Sequence, residues 1–171
     1  MDFLNQPLIL TSLRLAHIIF GMLWLGLGVV GVWVVHPLAD RLGERGNFLL
    51  RDFYAYSNYN KIFPLAAIVT TVAGLVMWPA RVDGMDFVAF GATGDIVMLI
   101  GSVFGLLAFG HGAGATGRFT AAYAKAVRAN DENGENTDEL DALRDKVFTH
   151  ANISAILTLI AAVAMSSARY L

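Results

Sequence analysis

The chain has no cysteine. That excludes disulfides, thiolate metal centres and iron–sulfur clusters, and leaves imidazole as its best transition-metal ligand. Charge is scarce as well. Only 15% of the 171 residues are charged, where a soluble domain carries about a quarter. No basic stripe suits a nucleic acid, so no nucleic-acid partner is expected. No nucleophile motif, phosphate-binding loop or paired carboxylate marks a soluble active site. A basic leader is missing too: Asp2 stands at the start, and the apolar run behind it is too long for a cleaved signal, so it reads as a retained first span.

What is present is apolar. Hydrophobic residues make up 56% of the chain, and the mean hydropathy is +0.57. Four stretches approach the 20 or so apolar residues that cross a bilayer: residues of about 8–36, 62–80, 95–117 and 147–168. The first is expected to stop at Pro37, and the second to hold Pro64 in its first turn. The third is read as continuing in helical form towards Arg128. The expected fold is all-α, an integral membrane four-helix bundle forming a single domain over 1–171.

Lysine and arginine are unevenly distributed. Nine lie in the two long connections (Arg41, Arg45, Arg51, Lys61, Arg118, Lys125, Arg128, Arg144, Lys146), against Arg14, Arg81 and Arg169 at the other side. By the positive-inside rule, the connections are cytoplasmic and both termini outside. The expected location is a bacterial cytoplasmic (inner) membrane. The aromatics Phe48, Phe53, Tyr54, Tyr56 and Tyr59 suit a segment lying at the headgroups. Asn130 to Asp141 reads as a polar, acidic loop.

All four histidines fall in or beside the apolar stretches. A charged side chain at membrane depth costs roughly 2.5 kcal/mol or more, so it usually has a partner or a function. Helical rise puts His17 roughly 10 Å from the bilayer centre in the outer leaflet, and His111 and His150 each roughly 12 Å from it in the inner leaflet. Met77, Met98 and Met165 share the outer depth. His36 falls at the cytoplasmic interface and reads as solvated or touching headgroups.

Helical phase sorts these residues further. His17, Gly21, Trp24 and Gly28 form one stripe, which fits either a flat macrocycle with Trp24 as a wall or close helix packing. His111, flanked by glycines, shares its phase with Phe104 and Arg118. His150 leads a small-residue stripe through Ser154, Leu157 and Ala161. Bis-histidine haem b on His111 and His150, with Arg118 on a propionate, is one arrangement these positions permit. Solvation of His150 is the other reading. Arg14, one turn before His17, is placed to pair a propionate at the outer surface. Copper(I) is the alternative cofactor, since imidazole and thioether suit it and His17, Met77, Met98 and Met165 offer both.

The segment Leu13 to Leu25, with His17 and Trp24 seven residues apart, resembles the first helix of the bacterial membrane protoporphyrinogen oxidase family. The run Leu106 to His111 followed by Gly117-Arg118 resembles that family's third helix. Similar patterns occur in the copper-resistance D family, including an Ala/Met run such as Ala161 to Met165 in the last helix. The resemblance implies a four-helix haem b protein with His17 as a ligand. Where the oxidase family carries a lysine near the start of its third helix, this chain has Met98 nearest by spacing, which makes Met98 a candidate axial partner. The departure argues against the oxidase reaction itself. The expected function is therefore electron transfer or redox support with one or two haem b groups and a membrane or periplasmic redox partner; any enzymatic role would be that of a haem-dependent membrane oxidoreductase. The alternatives are copper(I) handling and a cofactor-free structural subunit, and homo-oligomers are compatible with either.

Overall fold

A computed structural model describes residues 6–81, 93–130 and 137–171, with side chains to residue 78 in the first block. Among these residues every regular element is helical. Helix α1 (Pro7–Val30) starts on Pro7, where the missing N–H is no loss. A widened turn, Gly31–Val35, carries the chain into α2 (His36–Leu42). Gly43, at φ 58°, then reverses it into α3 (Glu44–Ala55). The second long helix is α4 (Tyr59–Arg81), followed by α5 (Thr93–His111), a second widened turn (Gly112–Thr116) and α6 (Gly117–Ala129). Thr137 caps α7 (Asp138–Ser167) by accepting the Leu140 N–H at 3.3 Å.

Four helices are long and apolar enough to cross a membrane: Pro7–Leu42, Tyr59–Trp78, Thr93–Ala129 and Asp138–Tyr170. The first runs through Pro37 instead of ending there. Proline removes one N–H and crowds the carbonyl four residues back. The widened turn just before it, with the His36 N–H bonded to the Gly31 carbonyl, loosens the helix where that collision with Trp33 would fall. Because α4 starts at Tyr59, Pro64 sits in its second turn and not its first. The acidic loop is shorter than expected. Asp138 to Asp141 form the first turn of α7, where carboxylates favour the helix dipole, and residues 131–136 lie outside the described set.

Helix α1 packs mainly along α4, and α5 mainly along α7. Smaller contacts of α1 with α7 and of α4 with α5 close the bundle, leaving α1 and α5 on one diagonal. Glycine makes both seams close. A β-carbon on Gly21 would lie 3.4 Å from the Thr70 methyl, one on Gly28 3.6 Å from the Phe63 ring, and one on Gly31 3.4 Å from the Tyr59 hydroxyl. Of the two readings of the α1 stripe, helix packing is thus what these glycines do. Outward faces are apolar: Ile18, Ile19, Met22, Ile68, Val72 and Leu107 are all exposed, as suits a lipid surround.

At 36 residues, the first helix is about 54 Å long, well beyond a hydrocarbon core of about 30 Å. Its extension joins α3, α6 and the start of α7 around a second core of Leu50, Tyr54, Tyr123, Val127, Leu140 and Val147. The last carbonyls of α3 lack helical partners, and side chains supply them. Arg128 donates to the Ala55 carbonyl at 2.5 Å, and Asn60 donates to that of Tyr54. Tyr54 therefore lies in a core and not among headgroups. It is fully buried, ringed by Phe53, Tyr59 and Tyr123, while Phe48 and Tyr56 are the exposed aromatics of the segment.

Two outcomes follow from this packing. A β-carbon on Gly46 would overlap the Ala39 carbonyl where α2 crosses α3. Gly46→Ala should cost about 1–3 kcal/mol or more in a thermal melt, whereas Gly26→Ala, with nothing within 4 Å, leaves the melt unchanged or slightly raised. Burial, reinforced by Tyr59, pushes the Tyr54 phenol far above its ordinary value. The unfolded chain ionises it from about pH 10 while the native state holds it neutral, so stability present below that pH falls as pH rises past it. In an alkaline melting series, Tyr54→Phe should flatten that fall.

Candidate functional site: two imidazole centres on either side of Trp24

Trp24 divides the bundle. It is buried against Ala66, Ala67 and Ala108, with Phe20, Phe63, Phe109 and Leu157 around this cluster. Every large buried side chain among the described residues lies at this level or on the α3–α6 side of it. Among the described residues on the side carrying the termini, the buried ones are small: Thr70, Ala73, Gly94, Gly101, Ala161 and Ala168. The bulkier inward groups there, among them Phe20, Met77, Met98 and Met165, are only half-buried.

His17 is in this terminal half, held in the α1–α4 seam. Its Nδ1 lies 2.7 Å from the Thr70 carbonyl. A carbonyl only accepts, so Nδ1 carries the proton and the Nε2 of the neutral ring keeps its lone pair. Thr70 holds its hydroxyl on the Ala66 carbonyl at 2.8 Å, so that hydroxyl does not compete for the ring. Gly74 gives the imidazole room: a β-carbon there would stand 2.9 Å from Cε1. Neither Thr70 nor Gly74 was visible in the sequence as a site residue, because a backbone acceptor leaves no side-chain signature.

The other candidates of this half are placed differently. Met98 is half-buried on α5, across the bundle diagonal from α1, and the structure does not bring it onto His17. Met165 fills the notch at Gly101 and Gly105 in the α5–α7 seam. Arg14 is exposed, one turn from His17 towards the N-terminus. Trp24 is central, where it fills the bundle.

Beyond Trp24, His111 and His150 do meet, as a hydrogen-bonded pair. His111 Nε2 and His150 Nδ1 are 3.1 Å apart, and His111 Nδ1 is 2.9 Å from Ser154 Oγ. Thr116 Oγ1 lies 2.9 Å from Ser154 Oγ and donates to the His150 carbonyl at 3.1 Å. Phe119 stacks on His150, 4.9 Å between centroids and 16° between planes. Thr116 reaches this cluster because the widened turn rotates it inward. The same turn takes Arg118 out of phase with His111, leaving it exposed over Phe119.

This geometry does not fit a macrocycle between His111 and His150, since both nitrogens of His111 are engaged and the rings touch directly. The adjoining void is about 10 Å³, lined by Trp24, Gly28, Tyr59, Thr116, Ser154 and Thr158 among others; that is room for one water. His36, expected to be wet, is 3% exposed and bonded through Nε2 to the Tyr54 hydroxyl at 2.8 Å. The fold of α3 back onto α2 covers it.

Gly74→Ala should push the His17 ring off the Thr70 carbonyl. The readout is the ¹⁵N spectrum of the histidines, in which the Nδ1–H signature of His17 is expected to disappear while those of His111 and His150 persist. No family model, curated protein or solved structure matches this chain.

Proposed function

We propose that this is a multi-pass redox protein of a bacterial inner membrane, carrying haem b in the terminal half of the bundle with His17 Nε2 as an axial ligand. One observation carries the reading. His17 is anchored through Nδ1–H to a backbone carbonyl, which leaves Nε2 the free donor atom; metal-ligating histidines are commonly oriented by such a bond from the other ring nitrogen. The resemblance of Leu13 to Leu25 to a haem-binding helix points the same way.

Haem would supply one-electron chemistry at this depth. The chain's own residues do the rest. Thr70 fixes the tautomer and orientation of His17, Gly21 and Gly74 permit close approach, and Arg14 offers a cation to a propionate at the surface. Met98, on the diagonal helix, is the candidate second ligand. The nine-to-three bias of lysine and arginine supports cytoplasmic connections and external termini.

The test is a reduced-minus-oxidised spectrum of protein purified after expression with ample haem supply. A Soret shift and an α band are expected in wild type, with loss of most haem in His17→Ala and retention in His111→Ala. Absence of haem from wild type, or its retention in His17→Ala, overturns the assignment. Met98→Ala should keep haem but change the spectrum and lower the potential, as loss of a thioether ligand does.

A further inference from the structure

The hydrogen bonds around His111 and His150 fix more than proximity, because every proton in the cluster can be assigned. Thr116 has one hydroxyl proton, and it goes to the His150 carbonyl. Ser154 must then donate to Thr116 across their 2.9 Å contact. Having no second proton, Ser154 Oγ must accept from His111 Nδ1–H. A neutral His111 so protonated has a bare Nε2, which must accept from His150 Nδ1–H. The chain of donors ends at His150 Nε2, the remaining lone pair of a ring stacked on Phe119 of α6. All donors run one way, from His150 through His111 and Ser154 to Thr116.

We propose that His150, His111, Ser154 and Thr116 form a proton relay. It takes up a proton at His150 Nε2 from the side of the long connections and delivers one into the void beneath Trp24. The transfer balances atom by atom. A proton binds His150 Nε2; the Nδ1 proton of His150 passes to His111 Nε2; that of His111 Nδ1 passes to Ser154 Oγ. Ser154 hands its own proton to Thr116, whose former proton leaves the His150 carbonyl for a water of the size that the adjoining void accommodates. One proton enters and one leaves. Both imidazoles end as the Nε2–H tautomer, with His111 now donating to His150 Nδ1 and Ser154 donating to His111 Nδ1. In this state the two imidazoles and Ser154 keep their partners with the polarity reversed, while the Thr116 hydroxyl has turned from the His150 carbonyl to Ser154; rotation of the two hydroxyls with reverse transfer resets it.

Ionisable groups in membrane helices commonly mark proton paths. On the α6 side, the Arg118 guanidinium lies 5.4 Å from the Phe119 ring centroid; on α7, the Lys146 ammonium lies 5.6 Å from it. His150 stacks on the same Phe119 ring. From α1's side the nearest polar contact is neutral, Trp33 to Asn152 at 3.0 Å. The void is large enough for one water between Thr116, Ser154, Thr158 and Tyr59. In a redox protein this inlet would let a proton follow an electron to the Trp24 level, and that role rests on the proposed function; the relay itself does not.

The experiment has two arms. In ¹⁵N-histidine spectra of cofactor-free protein in nanodiscs, His111 and His150 are expected as Nδ1–H tautomers that titrate together as one coupled site. In Ser154→Ala they should titrate separately, with the His111 tautomer redistributed. Nε2–H tautomers with independent titrations in wild type, or no change in Ser154→Ala, overturn the relay. In the second arm, haem-loaded protein in liposomes is reduced while a pH dye follows uptake from the connection side. Wild type should take up about one proton per electron, and His150→Gln and Ser154→Ala should slow uptake by tenfold or more with the haem spectrum intact. Unchanged uptake in both variants overturns the relay. If haem never binds, the first arm still decides the relay, and only the function proposed for His17 fails.

Discussion

A neutral imidazole brings one donor and one acceptor, and hydrocarbon offers partners for neither. Every histidine in the spanning helices must therefore be matched from within the bundle, and the matching decides which ring nitrogen remains for chemistry. His17 gives its donor to the Thr70 carbonyl and keeps Nε2. His111 has both nitrogens engaged and keeps none. His150, at the end of its chain of donors, keeps Nε2. His36 is matched to a tyrosine hydroxyl and sealed by α3. These accounts separate the four residues more sharply than depth alone does.

The backbone makes the matching possible in two ways. Glycines let α1 and α4 approach until a ring on one reaches a carbonyl of the other, and Gly74 is the position where this matters for His17. Widened turns do the second part. The one at Gly112–Thr116 turns Thr116 towards Ser154 and His150, and the one at Gly31–Val35 passes Pro37 without ending the helix. Such turns often sit at functional positions, since one additional residue rotates everything beyond it. Here both border the same small void, through Val32 and Thr116.

Four apolar helices were legible in the sequence because length and hydropathy alone identify them, and the His111–His150 encounter followed from matching their depths. Phase worked only within uninterrupted helix. It grouped His17 with Gly21, Trp24 and Gly28, all of which do share the inward face. It failed for Arg118 because a fixed angle per residue does not foresee a widened turn. The second core was illegible for another reason. Tyr54, Leu50 and Val147 become one cluster only through the reversal at Gly43, and amphipathic aromatics beside a span look the same whether they meet lipid headgroups or each other. Thr70 was invisible because its contribution is a backbone carbonyl.

Trp24 ties the two halves together while keeping them distinct. Its indole closes the centre of the bundle between the His17 seam and the polar cluster, so neither set of polar groups touches the other. Among the described residues, the side towards the termini is bordered by small and half-buried residues, while the other side holds a water-sized void. Close packing holds helices together in lipid, and small residues at the seams allow it. The terminal half follows that rule with Gly21, Gly74 and Gly101 at its seams, and the other half adds a cluster of four polar side chains, His111, His150, Ser154 and Thr116. The two halves fall on opposite sides of one tryptophan, so the His17 ring and the four-residue cluster satisfy their hydrogen bonds independently of each other.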